Sequence, residues 1–283
     1  MASTPESVRT ISRTSNVRSS SSTHTALEEK QLLKQVLLQK LIPSPVQQKL
    51  ALAIGEDVLS GSSAMGSENF STVTARDLER MAEMYDALYF DSLLLSAARR
   101  HQMVFRWSGR MTSAGGKTIR SGRRDSKTGR MKVKYEIALS APLLFQTFRD
   151  LNRPIRVTGF QCRNRLQAMQ RILEHELIHL AEMLVWDDSC CSAPRFHSIA
   201  NRMFGHTEHK HDLVTQQERA AKKYNVRVGS MVSFPFQGKQ LVGKVNRITR
   251  RATILVPDPV GHQYSDGRSY RKYYVPLQQL KAV

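Results

Sequence analysis

Acidic side chains are scarce in this chain: 24 Asp and Glu stand against 43 Lys and Arg over 283 residues, a formal net charge of +19, with a pI near 10.2. That imbalance is too one-sided for an ordinary cytosolic enzyme and predicts attraction to phosphate-rich polymers or anionic surfaces, with a merely soluble basic protein as the plain alternative. Cysteine is almost missing as well, with only Cys162, Cys190 and Cys191. An odd count with two adjacent residues does not make a disulfide framework and points to a reducing compartment. Cys-x-x-Cys pairs are absent, so no zinc ribbon or finger is legible. There is neither an apolar run long enough to span a bilayer nor a signal-peptide core near Met1. These absences predict a soluble, intracellular protein with no membrane association. The length suits one sizeable core plus a smaller module.

What is present divides into four stretches. Residues 1–26 are rich in Ser, Thr and Arg, with Glu6 the only acid. They bury too little to offset their ordering entropy and read as a disordered tail, although the same composition suits an organelle transit peptide. Residues 27–72 read as a helical segment and linker. Leu32, Leu33, Val36, Leu37 and Leu41 mark a helix over 27–42 that Pro43 and Pro45 stop, a second helix covers about 46–54, and a linker follows over 55–71. This helical pair either docks on the main domain or binds a partner.

Residues 73–224 make the expected main domain. Thr74 and Asp77 resemble a capping box, and the helix they open spaces Leu78, Met81, Met84, Tyr85, Leu88 and Tyr89 as a core stripe. A strand over 103–107 and another over 131–140 are expected to meet at a basic hairpin, residues 110–130 reading as its Gly- and Lys/Arg-rich turn region. A short helix near 143–148 and a long helix over 161–186 follow. Next come a helix over 194–204, with Pro194 at its first turn and Gly205 at its end, and a charged helical stretch to Tyr224. Residues 225–283 switch to short β-type runs separated by turns at Gly238, Asp258-Pro259 and Asp266-Gly267, which suggests a small barrel. The expected class is α+β with an appended all-β module.

The long helix contains His175-Glu176-Leu177-Ile178-His179. Positions four apart share one helix face, so His175 and His179 present their imidazoles to a single ion, for which Zn2+ is the expected metal. Glu176 reaches a water held on that ion and acts as general base. Two half-buried histidines satisfied by local hydrogen bonds are the bland alternative.

From about Leu78 to His211 several ordered pieces resemble the SprT-like zinc metalloprotease family, the Spartan-related group. They are Tyr85-Asp86-Ala87-Leu88-Tyr89-Phe90 closing at Asp91, then Trp107-Ser108-Gly109-Arg110-Met111-Thr112 with Ala114-Gly115 following. Ile137-Ala138-Leu139-Ser140, the His175–His179 motif and Pro194-Arg195-Phe196 complete the series. The resemblance implies a zincin-like fold and a zinc-dependent endopeptidase that degrades proteins on DNA, in particular those covalently trapped there, in a nucleus or nucleoid-containing compartment. In that family the third zinc ligand is a His in a His-Gly-Pro-x-Phe step. The matching residues here are Ser192-Ala193-Pro194-Arg195-Phe196, and serine is a poor zinc ligand. His206, just past Gly205, is the favoured replacement, provided the preceding helix runs back along the motif helix. Cys191 offers a thiolate, and Glu182 either a ligand or a group that orients one; His211 and His197 remain candidates.

Arg106, Arg110, Lys117, Arg120, Arg123 and Arg124 begin a basic cluster opposed by Asp125 and little else. It is an ordinary solvated face or, on a hairpin that the family places near the active-site cleft, a set of phosphate contacts. Trp107 reads as core or as a base-stacking residue. In the last stretch Lys239, Lys244, Arg247, Arg250, Arg251, Arg268, Arg271 and Lys272 alternate with Tyr264, Tyr270, Tyr273 and Tyr274. Val228–Phe234 and Gly243-Lys244-Val245 look like an SH3-like barrel of the KOW or Tudor type, standing where family members often carry a zinc ribbon. The leading expectation is a monomeric zinc protease guided by single-stranded or distorted DNA and acting on DNA-associated proteins. The alternatives are a catalytically weak or silent nucleic-acid-binding protein on the same scaffold, and a zinc peptidase with no nucleic-acid role.

Overall fold

The structure is a computed structural model that describes the backbone of residues 17–149 and 153–283, with side chains from residue 25 onward. The first sixteen residues of the expected tail lie outside the described residues. The rest of that tail belongs to helix α1 (Val17–Gln39), which starts earlier than composition predicts because no Pro or Gly interrupts the stretch. Pro43 ends the connection, and α2 (Ser44–Gly61) runs well past the predicted stop, shortening the linker. Leu33, Leu37, Ile54 and Val58 are fully buried in the same core as the main domain. The helical pair therefore docks.

Thr74 caps α3 (Ala75–Tyr89) with the reciprocal capping box that the sequence predicts. Asp91 and Ser92, both left-handed, turn the chain into α4 (Leu93–Arg99). The buried Asp86 carboxylate accepts the backbone N–H groups of Leu94 and Leu95 at 2.9 and 3.0 Å, closing that turn. Strands β1 (Gln102–Ser108), β2 (Gly116–Arg124) and β3 (Met131–Ser140) form one sheet in the order β1-β3-β2. β1 runs parallel to β3, so those two strands do not meet at a hairpin as predicted. The hairpin joins β2 to β3, and nine residues of the supposed turn region are a strand. Its glycines and cations conceal it in the sequence, yet an edge strand, paired on one side only, tolerates both.

After α5 (Ala141–Gln146), a small hairpin of β4 (Ile155–Val157) and β5 (Phe160–Cys162) precedes α6 (Arg165–Trp186). The long helix thus starts four residues later than predicted, where the Asn164 side chain accepts the N–H of Gln167 at 2.8 Å. With 22 residues and buried side chains on most of its circumference, α6 is the axis of the fold. It packs against α1 to α5, the main sheet, the small hairpin and α7 (Pro194–Phe204). Helix α8 (Gln216–Tyr224) follows. No helix among the described residues is long and apolar enough to cross a membrane.

The C-terminal stretch has its own core around Val232, Phe234, Val245, Ile254 and Leu280. Strands β6 (Met231–Phe236), β7 (Lys239–Ile248), β8 (Ala252–Gln263), β9 (Ser269–Val275) and the two-residue β10 (Lys281–Ala282) pair in the order β10-β6-β7-β8-β9. The expected barrel does not close: β9 and β10 are the sheet's two edges and do not pair with each other. Asp258-Pro259 lies within β8, where the register shifts between Pro257 and His262, so the predicted turn there is an irregularity inside one strand. The whole is α+β.

Candidate metal centre

One face of α6 opens on a cleft of about 530 Å³, lined by residues that include Gly116, Thr118, Glu176 and Cys191. His175 and His179 direct their Nε2 atoms at each other, 3.1 Å apart. Two nitrogens bound tetrahedrally to one zinc stand about 3.3 Å apart, so the pair already has the spacing of two ligands on one ion. Burial, with the neighbouring histidines, holds the His175 imidazole down to about 2, and burial holds His179 down to about 4. Both are neutral, as ligands must be. The Phe196 ring at the start of α7 packs against both imidazoles at 4.8 and 4.7 Å and fixes the pair from the side.

Cys191 is the third candidate donor. One ligand atom from each of His175, His179 and Cys191 lies within 4.8 Å of the other two. The chain leaves α6 through Asp187, left-handed at φ 60°, and the loop that follows brings Cys191 back over the histidines. Ser192, at the position the family gives to its third histidine, instead has its hydroxyl 3.1 Å from Cys190 Sγ. Two imidazoles and a thiol are a donor set that suits zinc and leaves one position for a reactant.

His179 is also gripped from behind. Ser189 Oγ donates to Glu182 Oε2 at 2.6 Å, and so its single proton is committed. At 2.7 Å from His179 Nδ1 it must therefore accept, which places the proton on Nδ1 and the lone pair on Nε2. Glu182 is fully buried, and its other oxygen takes the Arg195 Nε–H at 2.6 Å. Arg195 in turn lies over the Trp186 ring at 4.4 Å. Glu182 thus acts on His179 through Ser189 and lies outside the His175–His179–Cys191 group.

Glu176 faces the same cleft. Its Oε2 accepts the Thr118 hydroxyl at 2.7 Å, while Oε1 has no hydrogen bond among the described residues. Burial raises its carboxyl to about 7, against the lowering effect of Thr118. Gly116 permits the approach of strand to helix, since a Cβ there would stand 2.6 Å from Glu176 Oε1. Thr118 and Ser189 have no signature of their own in the sequence, whereas Phe196 stands in the Pro194-Arg195-Phe196 step.

His206, the favoured third ligand, is elsewhere. Gly205, at φ +73°, turns the chain so that His206 enters the core on another side of α6. There it donates to Glu174 Oε2 at 2.8 Å, and Glu174 also accepts from Tyr85 (2.6 Å) and Arg171 (2.9 Å). His211 lines the cleft, but its Nε2 accepts the Gly115 N–H at 2.7 Å. His197 stands against His209, with ring centroids 5.1 Å apart.

The six predicted phosphate contacts do not converge. Lys117 lines the cleft, Arg106 pairs with Glu136, and Arg120 pairs with Asp187 at 3.0 Å. Arg110 is exposed, and so are Arg123 and Arg124 near the hairpin turn. Trp107 packs against the core and donates its indole N–H to Thr74 O at 2.9 Å, so it is not a stacking platform. The three cysteines are free thiols; Cys162 is buried and pushed up to about 12 by that burial. No protein-family model matches the chain, and no curated protein or solved structure matches it.

Proposed function

We propose that the chain is a zinc-dependent endopeptidase of the SprT-like type, with a zincin-like main domain, acting on proteins bound or crosslinked to DNA. The observation that carries this reading is the convergence of His175, His179, Cys191 and Glu176 in one cleft beside an edge strand. Zinc held by the first three would supply a Lewis acid and acidify a water. Thr118 holds Oε2 of Glu176 and leaves Oε1 to take a proton and pass it to the leaving amine. β2 has no strand partner on its outer side among the described residues, and its stretch from Gly116 to Thr118 lines the cleft. An extended peptide adds to such an edge through backbone hydrogen bonds, which suits sequence-tolerant cleavage. Arg123 and Arg124 on the hairpin, the net charge of +19 and a C-terminal module with SH3-like resemblance support the DNA half of the reading.

The test is digestion of casein or histone with and without single-stranded DNA, comparing the wild type with Glu176→Gln and measuring bound zinc in both. Cleavage that persists undiminished in a zinc-loaded Glu176→Gln protein rejects the peptidase assignment. Ser192 at the family's ligand position favours a second reading, a silent nucleic-acid-binding scaffold, for which purified protein would contain no zinc.

A further inference from the structure

The last 59 residues carry ten Lys and Arg against two acids, Asp258 and Asp266. Both acids are engaged: Asp258 by Arg271 at 2.7 Å, Asp266 by the Tyr270 hydroxyl at 2.8 Å. The sheet register sorts the cations and tyrosines by face. Val245, Ile254 and Tyr273 lie in one cross-strand row, and Val245 and Ile254 are buried, so that face is the inner one. Tyr273 packs there, 5.5 Å from Phe234 and 4.9 Å from Phe236. The alternate positions point outward. Arg247 pairs with Thr253, which pairs with Tyr274; Lys244 pairs with Leu255, which pairs with Lys272. These two rows lie side by side on the face of β7, β8 and β9 opposite Val245 and Ile254; Leu255, in the middle of one row, is buried, and the cations on either side of it are exposed.

Of these four tyrosines, Tyr274 alone has no hydrogen bond or ring contact among the described residues. Tyr270 is buried and bonded, Tyr264 is edge-on to Tyr270 at 5.4 Å, and Tyr273 faces the core. Tyr274 is 64% exposed and makes no ring contact among the described residues. Lys244, Arg247 and Lys272 around it are exposed and form no salt bridge among the described residues. Lys272 is steadied by the Tyr264 ring, 5.4 Å from its Nζ. Neighbouring strands lie about 4.8 Å apart, so the Tyr274 ring stands two strands across from Arg247 in its own row, with Lys272 and Lys244 in the row beside it.

We infer that this outer face is a binding platform for single-stranded nucleic acid, Tyr274 stacking one base while Lys244, Arg247 and Lys272 take the flanking phosphates. This deepens the nucleic-acid half of the proposed function and does not depend on the metal centre. A duplex keeps its bases stacked inside and cannot use the ring, whereas an acidic peptide would satisfy the cations and leave the ring without a planar partner.

The test is fluorescence anisotropy of a labelled fifteen-nucleotide oligothymidylate titrated with the full chain at several salt concentrations, with a duplex of equal length and oligoglutamate as competitors. Tyr274→Ala is expected to weaken binding about tenfold at fixed salt, leaving the salt slope unchanged, and Tyr274→Trp to restore it. Arg247→Ala and Lys272→Ala are each expected to reduce the slope by roughly 0.7. Binding that survives Tyr274→Ala and is abolished by Arg123→Ala with Arg124→Ala overturns the platform and leaves the nucleic-acid reading standing. Failure to bind the oligonucleotide at all overturns both. Equal displacement by the duplex or by oligoglutamate overturns the single-strand assignment.

Discussion

Helix α6 carries two glutamates two positions apart, each buried, each with histidines near it, and the two have opposite surroundings. Glu174 receives Tyr85, Arg171 and His206. Burial raises its carboxyl, but the Arg171 charge and those hydrogen bonds outweigh it and leave the group below its ordinary range. Glu176 receives one hydroxyl, and burial raises it to about 7. The histidines follow the same division: His206 Nε2 is spent on Glu174, while the Nε2 atoms of His175 and His179 face only each other. A carboxylate whose oxygens are filled by three internal donors is a structural staple, even though His206 Nδ1 has no partner among the described residues. A cluster whose lone pairs converge without a donor is arranged for something from outside.

The sharpest way to break this comparison is to neutralise each glutamate in turn. Glu176→Gln is expected to lower kcat by about 10²–10⁴ with zinc content and melting temperature maintained, since a general base is lost and no buried charge is stranded. Glu174→Gln should do the reverse. It leaves the nearly buried Arg171 guanidinium without its counter-charge, a change that costs about 3–5 kcal/mol and lowers the melting temperature by roughly 10 °C. If thermal melts show Glu176→Gln to be the more destabilised of the two, the division of α6 into a stapled and an open face is wrong.

What could be read from the sequence follows the range of the interactions. The His175, Glu176 and His179 constellation and the Thr74–Asp77 capping box depend on spacings of three or four residues on one helix, and both are where the pattern puts them. The third ligand depends on how the loop after Asp187 folds back, a fact of tertiary structure. Ligand chemistry admits a histidine and a cysteine alike, and His206 is drawn away by Glu174, a partner 32 positions earlier. β2 hides behind its glycines and cations, and β4 and β5, at three residues each, are too short for any period to register. The sequence leaves the role of α1 and α2 open, because an apolar helix face shows that it has a partner without saying which one.

The contrast between Cys191 and His206 gives a third, smaller effect. Cys191→Ser is expected to weaken zinc binding by more than about a hundredfold, as removal of a ligand exceeds the effect of disturbing the groups behind one. His206→Ala should leave zinc affinity unchanged and lower stability instead. Alkylation gives a readout independent of activity. Without zinc, Cys190 and Cys191 should react and the buried Cys162 should not; with zinc, Cys191 alone should gain protection. Mass spectrometry of the labelled peptide resolves the adjacent pair. Loss of protection in His206→Ala, or protection that persists in His175→Ala, would contradict the assigned ligand set.

The finest distinction within the open face concerns the two histidines themselves. His179 has a relay behind it, Ser189 to Glu182 to Arg195, while His175 Nδ1 is buried with no partner among the described residues. The imidazole with the relay is held in the tautomer that presents Nε2, and the other is positioned by packing against Phe196. Ser189→Ala removes the acceptor for His179 Nδ1–H and the donor for Glu182 while keeping all three donors and Glu176, so zinc affinity should fall by about tenfold and the fold should persist. Ser189→Thr keeps the hydroxyl and should restore most of that loss, which a change in loop packing alone would not do. Competition against a chelator of known zinc affinity measures both variants. Equal affinities for wild type and Ser189→Ala would mean that the relay holds Glu182 in place for the loop's sake and contributes nothing to the metal site.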